Sequence, residues 1–233
     1  MTVIYFYHIP KTGGSYVNKY LKNLSKSLNM QYVSFYDTSS IISKENINHY
    51  ITTLSTIGNK DTIIHHHHGY PGMKFAKIYI EALQQKLKEM NNNLYLITVV
   101  RDPVRRTYSG INYNKCINQN AIDNYIKNKS NYIIRYILYN KNYVYNNILD
   151  EKEMILFDSI VKMFDYMVDI NKISTIRDYL SFILQKKNII QMPPNKINKT
   201  NYIITLKQND INLINKYNKL DILFYHRFLL KYK

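Results

Sequence analysis

The sequence predicts an α/β protein built on one parallel β-sheet with helices on both of its faces. Three observations support this prediction. Short apolar runs of strand type alternate along the chain with segments whose apolar residues recur at helical spacing. The run at 94–100 is apolar throughout, which is typical of a parallel strand buried on both faces. The 233 residues contain no internal repeat and no linker rich in Pro, Ser or Gly, so we expect a single domain spanning 1–233.

The individual elements follow from the same patterns in chain order. A first strand at 3–7 precedes a helix whose apolar residues include Val17, Leu21, Leu24 and Leu28. Further strands are predicted at 62–64, 94–100 and 166–170, and further helices near 73–90, 104–116, 121–138, 151–163, 173–184 and 210–225. Ligands of such sheets bind at the carboxyl ends of the strands. The loops after the strands at 3–7 and 94–100 are therefore the first candidates for function.

The chain is strongly basic, with 32 Lys and Arg against 16 Asp and Glu and a formal net charge of +16. Three kinds of partner would match this charge: nucleic acid, a membrane surface, or an anionic small molecule or glycan. The abundant Lys, Asn, Ile and Tyr residues also have A/T-rich codons. A biased genome would give part of the same excess without selection for anion binding, and this alternative stays open.

A few features concern the cellular compartment. No apolar run approaches the roughly 20 residues that span a bilayer. Residues 1–14 lack the basic start and the long apolar stretch of a signal peptide. Cys116 is the only cysteine, which excludes an internal disulfide. We therefore expect a soluble protein without a membrane span in a reducing compartment, for which the cytoplasm is the simplest choice.

The first strand runs into the segment HIPKTGGS at 8–15 and then into a helix. Its two glycines let the backbone approach a ligand closely, and the helix N-terminus presents free amide groups and a partial positive charge. This combination predicts an anion-binding loop, although an ordinary glycine turn with a solvated lysine is the alternative. In a Walker A loop the lysine would follow the glycines. The residues expected to bind the anion are Lys11, Thr12, Gly13, Gly14 and Ser15.

The strand at 94–100 runs into Arg101, Asp102 and Pro103, and Ser109 lies two helical turns further on. Proline is well tolerated in the first turn of a helix, so a helix is expected to begin here. An arginine fork and a hydroxyl suit a dianionic phosphate. The alternative is a structural pair between Arg101 and Asp102 that closes the corner.

Four consecutive histidines, His65, His66, His67 and His68, end the strand predicted to begin at 62. A histidine can take the proton of a hydroxyl near neutral pH, so this cluster is a candidate for a general base. Metal binding is the alternative. In a strand neighbouring side chains face opposite ways, so one face would offer only two ligands, and no metal site is expected.

The segment HIPKTGGS resembles the 5′-phosphosulfate-binding loop of the carbohydrate sulfotransferases, especially the heparan sulfate 2-O-sulfotransferase group. The segment RDPVRRTYS at 101–109 is similar to the 3′-phosphate-binding motif of that family, in which an Arg and a Ser eight residues later hold the phosphate. The family also carries a catalytic histidine between these motifs, before a Phe-Ala-Lys that is present here at 75–77.

The resemblance implies a fold like that of P-loop nucleotide kinases and a reaction with 3′-phosphoadenosine 5′-phosphosulfate (PAPS). Sulfonate would pass to a hydroxyl by in-line displacement, without a metal, and leave adenosine 3′,5′-bisphosphate. Lys11 would contact the oxygen between phosphorus and sulfur, and Arg101 and Ser109 would hold the 3′-phosphate. The base would be His68 or His66, with His67 close behind.

Two weaker similarities extend the resemblance towards the C-terminus. Lys199 lies in an Asn-Lys-Thr segment similar to one that closes over the donor, although three polar residues before a helix are usually only a cap. The segment at 221–225 is similar to the end of the family's last helix, which is a packing feature. Arg106 matches a second basic position of the 3′-phosphate motif.

Two other functions remain as alternatives. A kinase-type phosphotransferase would need a Walker A lysine and Mg²⁺-binding carboxylates, and the sequence shows neither. A non-catalytic, basic protein that binds glycan or nucleic acid on a sulfotransferase scaffold is the second. The resemblance favours the enzyme, with a neutral or anionic glycan as the acceptor and no nucleic acid partner.

Overall fold

The structure is a computed structural model, and it describes residues 1–37, 42–140, 149–193 and 204–231. Within these residues five strands form one sheet in the order β2-β3-β1-β4-β5, and every neighbouring pair is parallel. The strands are β1 (Thr2–Tyr7), β2 (Gln31–Phe35), β3 (Thr62–His66), β4 (Asn93–Val100) and β5 (Tyr166–Asp169). The predicted parallel sheet is therefore confirmed.

Helices follow each strand and cover both faces of the sheet. They are α1 (Gly14–Ser27), α2 (Lys44–Thr56), α3 (Met73–Glu89), α4 (Pro103–Tyr113), α5 (Gln119–Asn128), α6 (Tyr132–Tyr139), α7 (Glu151–Val161), α8 (Thr175–Ile183), α9 (Gln208–Tyr217) and α10 (Lys219–Lys231), with a short 3₁₀ turn at Ile170–Lys172. In the described part of the chain, no helix is both long enough and apolar enough to cross a bilayer.

The sheet divides the apolar core into two layers. Along β1, Tyr5 and Tyr7 face the layer formed with α2, α3, α6, α7 and α10, whereas Ile4 and Phe6 face the layer formed with α1 and α8. Successive strand residues point to opposite faces, so a strand buried on both sides must be apolar at nearly every position. This explains the continuous apolar runs of β1 and β4.

Several boundaries differ from the prediction. Strand β2 and helix α2 were not predicted from the sequence. The segments 121–138 and 210–225, each predicted as one helix, are each divided into two helices. The first break falls at Asn131, whose φ of 42° is left-handed. The second follows Asn218, which ends α9.

The two breaks stabilise each other. The side chain of Asn131 accepts a hydrogen bond from the amide of Leu220 at 3.0 Å. The Asp221 carboxylate accepts from the amides of Ile133 at 2.8 Å and Ile134 at 3.0 Å. Each helix start thus caps the other. The Asp-x-x-Phe-Tyr segment predicted as a packing feature is buried at Asp221, Phe224 and Tyr225, so that prediction is confirmed.

The strand order predicts a crevice between β1 and β4. From β1 the chain continues to β2 on one side of the sheet, whereas from β4 it continues to β5 on the other. Where neighbouring strands lead in opposite directions, their loops separate and leave a crevice at the carboxyl ends. The loop at 8–15 and the loop that begins at Arg101 border this crevice.

Candidate functional site

The loop between β1 and α1 needs both of its glycines. Gly13 has a φ of 91° and Lys11 a φ of 67°, which is uncommon for a residue other than glycine. A Cβ atom on Gly14 would overlap the ring of His8. The loop therefore turns tightly against its own first residue, and Lys11 holds a strained backbone conformation of the kind found at functional sites.

The loop opens α1 towards the crevice. The amides of Tyr16 and Val17 donate to the Gly13 carbonyl at 3.0 and 3.3 Å, while those of Gly14 and Ser15 come too early in the helix to have an intrahelical acceptor. Such an end carries a partial positive charge. Ser15 is exposed, as an anion-binding hydroxyl requires.

Thr12 has a different role from the one predicted for its hydroxyl. The side chain is fully buried, and the hydroxyl donates to the carbonyl of Ile9 at 2.7 Å. The hydroxyl thus stabilises the loop from inside, and a ligand would meet the main chain at this position.

Lys11 is held by two neighbours, Arg101 and Tyr113. Its carbonyl accepts from Nη1 of Arg101 at 3.2 Å, and its Nζ lies 2.9 Å from the centre of the Tyr113 ring. Burial, together with the nearby charge of Arg106, lowers the pKa of Lys11 to about 8. The ammonium is therefore still protonated at neutral pH, and it rests on an aromatic face that favours the charged form.

Arg101 is available for an anion. Asp102 does not pair with it in the manner of a structural corner, since its carboxylate caps α4 by accepting from the amide of Arg105 at 2.8 Å. Among the described residues no ion pair involves Arg101, and its Nε is buried without a partner. A buried guanidinium nitrogen without an acceptor is costly, and an anionic ligand would satisfy it.

Ser109 shares a face of α4 with two residues that border the crevice. Arg105, Ser109 and Tyr113 are four residues apart and so lie one above another along the helix. Arg105 lines a cavity next to Arg101, and Tyr113 contacts Lys11. The half-buried Ser109 lies between them on this face, but it is not among the residues that line the cavity.

The four histidines do not share one environment. Strand β3 ends at His66, so the predicted alternation applies only to His65 and His66, while His67 and His68 lie in the following turn. His66 is fully buried in the core, where its Nδ1 contacts the hydroxyl of Tyr5. A substrate hydroxyl has no access to this ring, so the structure argues against His66 as the base.

His67 is also unsuited to act on a substrate. It is buried, its ring stacks on that of His8 with centroids 3.7 Å apart, and its Nδ1 lies 2.8 Å from the His8 carbonyl oxygen. Of the four, only His68 is partly exposed. Its Nδ1 lies 3.2 Å from the Tyr136 hydroxyl. His68 is therefore the member of the cluster that fits a general base best.

His8 connects the histidine turn to the loop. Burial lowers its pKa well below the usual range, and the charges of His65, His68 and Lys11 act in the same direction. His8 thus lies within electrostatic reach of both Lys11 and His68. The described residues contain no group of three or more His, Cys, Asp or Glu side chains placed to hold a metal ion.

No family model matches the sequence, and no curated protein matches it. Among solved structures, the chain is similar to an uncharacterized protein from Eubacterium ventriosum ATCC 27560. The two are 13% identical, and the alignment covers 78% of this chain and 98% of the other with a TM-score of 0.34. A similarity this low carries no argument about function.

Several residues of the site were missed in the sequence. Asn140 donates to the carbonyls of His67 at 2.7 Å and Tyr70 at 2.8 Å, and so fixes the histidine turn against the end of α6. Tyr136 contacts both His67 and His68 through its hydroxyl. Both residues lie about 70 positions from their partners, so no local pattern reveals them. Lys199 lies outside the described residues.

The buried histidines predict a loss of stability in acid. Burial lowers the pKa of His65 to about 4 and that of His66 to about 3, and it lowers the pKa values of His8 and His67 as well. In the unfolded chain a histidine side chain has a pKa near 6.5. The contribution of the neutral, buried histidines to the free energy of unfolding is therefore complete above that pH and is lost as the pH falls towards their pKa values in the folded protein. His65 and His66 alone should lower the free energy of unfolding by about 4 kcal/mol between pH 7 and pH 5.

Urea unfolding at pH 7, 6 and 5 would measure this loss, and His66→Leu should reduce it because one titrating group is gone. Burial raises the pKa of Asp221 to about 6 and also raises that of Asp165, so these carboxyls act with the opposite sign and offset only part of the loss. An equal free energy of unfolding at pH 7 and pH 5 would contradict the prediction.

Proposed function

We propose that the protein is a sulfotransferase that moves a sulfonate group from PAPS to a hydroxyl on a carbohydrate. The observation that carries the proposal is the meeting of two motifs 90 residues apart, where Arg101 donates to the carbonyl of Lys11. A glycine-rich loop and an arginine that has no ion-pair partner among the described residues border one crevice, which suits a ligand with two separated anionic groups. PAPS has this character, with a phosphosulfate at one end and a 3′-phosphate at the other.

In this proposal the donor lies along the crevice between β1 and β4. The phosphosulfate occupies the loop at 8–15 and the N-terminus of α1, while Arg101 and Ser109 hold the 3′-phosphate. A cavity of about 740 Å³ borders Arg101 and Arg105 and is large enough for the nucleoside. Lys199, which is not among the residues that the structure describes, is also proposed to contact the donor.

The reaction is a direct displacement at sulfur. The acceptor oxygen attacks the sulfur atom as His68 takes the hydroxyl proton, so a new O–S bond forms. The bond between sulfur and the bridging oxygen breaks, and its electron pair stays with the 5′-phosphate of adenosine 3′,5′-bisphosphate. Lys11 and the α1 N-terminus stabilise the charge that develops on this oxygen.

The donor site can be tested without an acceptor. Adenosine 3′,5′-bisphosphate should raise the melting temperature well above the effect of AMP, because only the former carries the group that Arg101 and Ser109 hold. At a hundredfold excess over Kd the gain is about 2.7 kcal/mol, or roughly 5–10 °C for a domain of this size. Arg101→Gln should remove the difference, and Arg227→Gln, at an exposed site on α10, should keep it. Equal shifts from both nucleotides with the unmodified protein would refute the site.

A further inference from the structure

The cavity beside Arg101 contains a third arginine that neither motif includes. Arg177, on α8, lines this cavity together with Arg101 and Arg105. In the described ranges one carboxylate lines it, that of Asp178, so the cavity has a net charge of +2 from its side chains. A ligand group with two negative charges would balance it.

Two helices add to the positive potential. Arg105 is the third residue of α4 and Arg177 the third residue of α8, and both line the same cavity. The N-terminus of a helix carries a partial positive charge, so a cation in the first turn is destabilising unless an anion is nearby. Asp102 at the start of α4 and Asp178 in the first turn of α8 offset part of this unfavourable charge, and a shared anionic ligand would offset the rest.

Arg177 has no strong partner in the described structure. Its Nη1 lies 3.4 Å from Oδ1 of the neighbouring Asp178, whose side chain is 74% exposed. An exposed pair between adjacent helix residues contributes little to stability. The Nε atom of Arg177, like that of Arg101, is buried without a hydrogen-bond partner among the described residues. Both guanidinium groups can therefore donate hydrogen bonds to a ligand.

The cavity also adjoins the loop at 8–15. A Cβ atom on Gly13 would lie 3.1 Å from the side chains of Ile170 and Ile173, which form part of the cavity wall. Tyr16, in the first turn of α1, lines the same space. Apolar and aromatic walls beside three arginines suit a planar base joined to a phosphate.

We propose that Arg177 is a further donor-binding residue, which holds the 3′-phosphate together with Arg101 and Arg105 and so makes the site select a nucleoside bisphosphate over a monophosphate. This inference rests on the proposed function, since it concerns the same donor. A phosphate monoester carries close to two negative charges at neutral pH and offers three acceptor oxygens. Three guanidinium groups match that charge and geometry.

Calorimetric titration of adenosine 3′,5′-bisphosphate and of AMP into the purified protein tests the inference. Arg177→Gln should weaken binding of the bisphosphate by about 10- to 100-fold, the usual effect of a lost charge-assisted hydrogen bond, and change AMP binding by less than about twofold. Arg177→Lys keeps the charge but loses the forked geometry of the guanidinium group. Its affinity for the bisphosphate should therefore lie between that of the unmodified protein and that of Arg177→Gln. The matched control is again Arg227→Gln, with unchanged affinities.

The outcomes separate the two proposals. If the unmodified protein does not prefer the bisphosphate, the donor site fails, and the role of Arg177 fails with it. If the unmodified protein has the preference and both Arg177 variants keep it, the donor site stands and the inference about Arg177 is wrong. AMP affinity reports folding in each variant, so equal weakening of both nucleotides would also contradict a role specific to the 3′-phosphate.

Discussion

His68→Ala should lower turnover by about 10²- to 10⁴-fold while leaving the affinity for adenosine 3′,5′-bisphosphate unchanged. The factor is the usual contribution of a general base. A base acts on the acceptor hydroxyl and does not touch the nucleoside end of the donor, so chemistry and donor binding should separate. Initial rates and calorimetric titration of the same preparation would measure both.

Two other histidine variants provide the comparison. His226 is exposed on α10, far along the chain from either motif, and His226→Ala should change neither turnover nor binding. His66→Ala should instead lower the stability of the fold, because it leaves a cavity beside the buried hydroxyl of Tyr5. Near-normal turnover in His68→Ala would mean that the proton leaves by another route.

Lys11→Ala should lower turnover by about 10²- to 10³-fold, the typical loss when one preorganised group at a developing charge is removed. The side chain is half-buried at the crevice and not part of the core, so the fold should persist. Lys19→Ala, at an exposed position on α1, is the matched control and should retain full turnover.

The pH dependence gives a second readout for Lys11. Its pKa of about 8 in the unliganded protein means that the ammonium loses its proton as the pH rises through 8. The kcat/KM of the unmodified protein should therefore fall on the alkaline side, since this ratio reports groups of the free enzyme. Lys11→Ala should lack that alkaline limb. A variant with normal turnover and the same pH profile would show that the loop has another role.

The sequence predicts the centre of the fold better than its periphery. Strands β1 and β4 are buried on both faces, and this burial forces the apolar runs that identify them. The loops after these strands then meet because parallel strands share one carboxyl edge. Strand β2 is exposed at two of its five positions, so its pattern is too short and too mixed to stand out.

Other parts of the site depend on contacts that no local pattern contains. Asp221 caps α6 from 88 residues away, and Asn140 fixes the histidine turn from about 70. Arg177 follows β5 and reaches the cavity only because β4 and β5 are neighbours in the sheet. In the sequence it is an ordinary charged residue near the start of a helix.

The histidine run shows the same limit within one segment. Strand alternation predicts that His66 and His68 share a face, yet the strand ends at His66 and the turn carries His68 elsewhere. The sequence therefore identifies the cluster but cannot separate a core residue from a candidate base. In the turn, the carbonyl of His67 accepts from the side chain of Asn140, and that of Gly69 accepts from the side chain of Asn46.

The most direct test of the central claim is transfer itself. The purified protein would be incubated with PAPS and a panel of neutral and anionic glycans, and the products analysed by mass spectrometry. We expect at least one glycan to gain a sulfonate group in step with release of adenosine 3′,5′-bisphosphate, and His68→Ala to slow both by about 10²- to 10⁴-fold. Tight binding of PAPS with no sulfonated product and no release of the bisphosphate would contradict it and favour a non-catalytic binding protein.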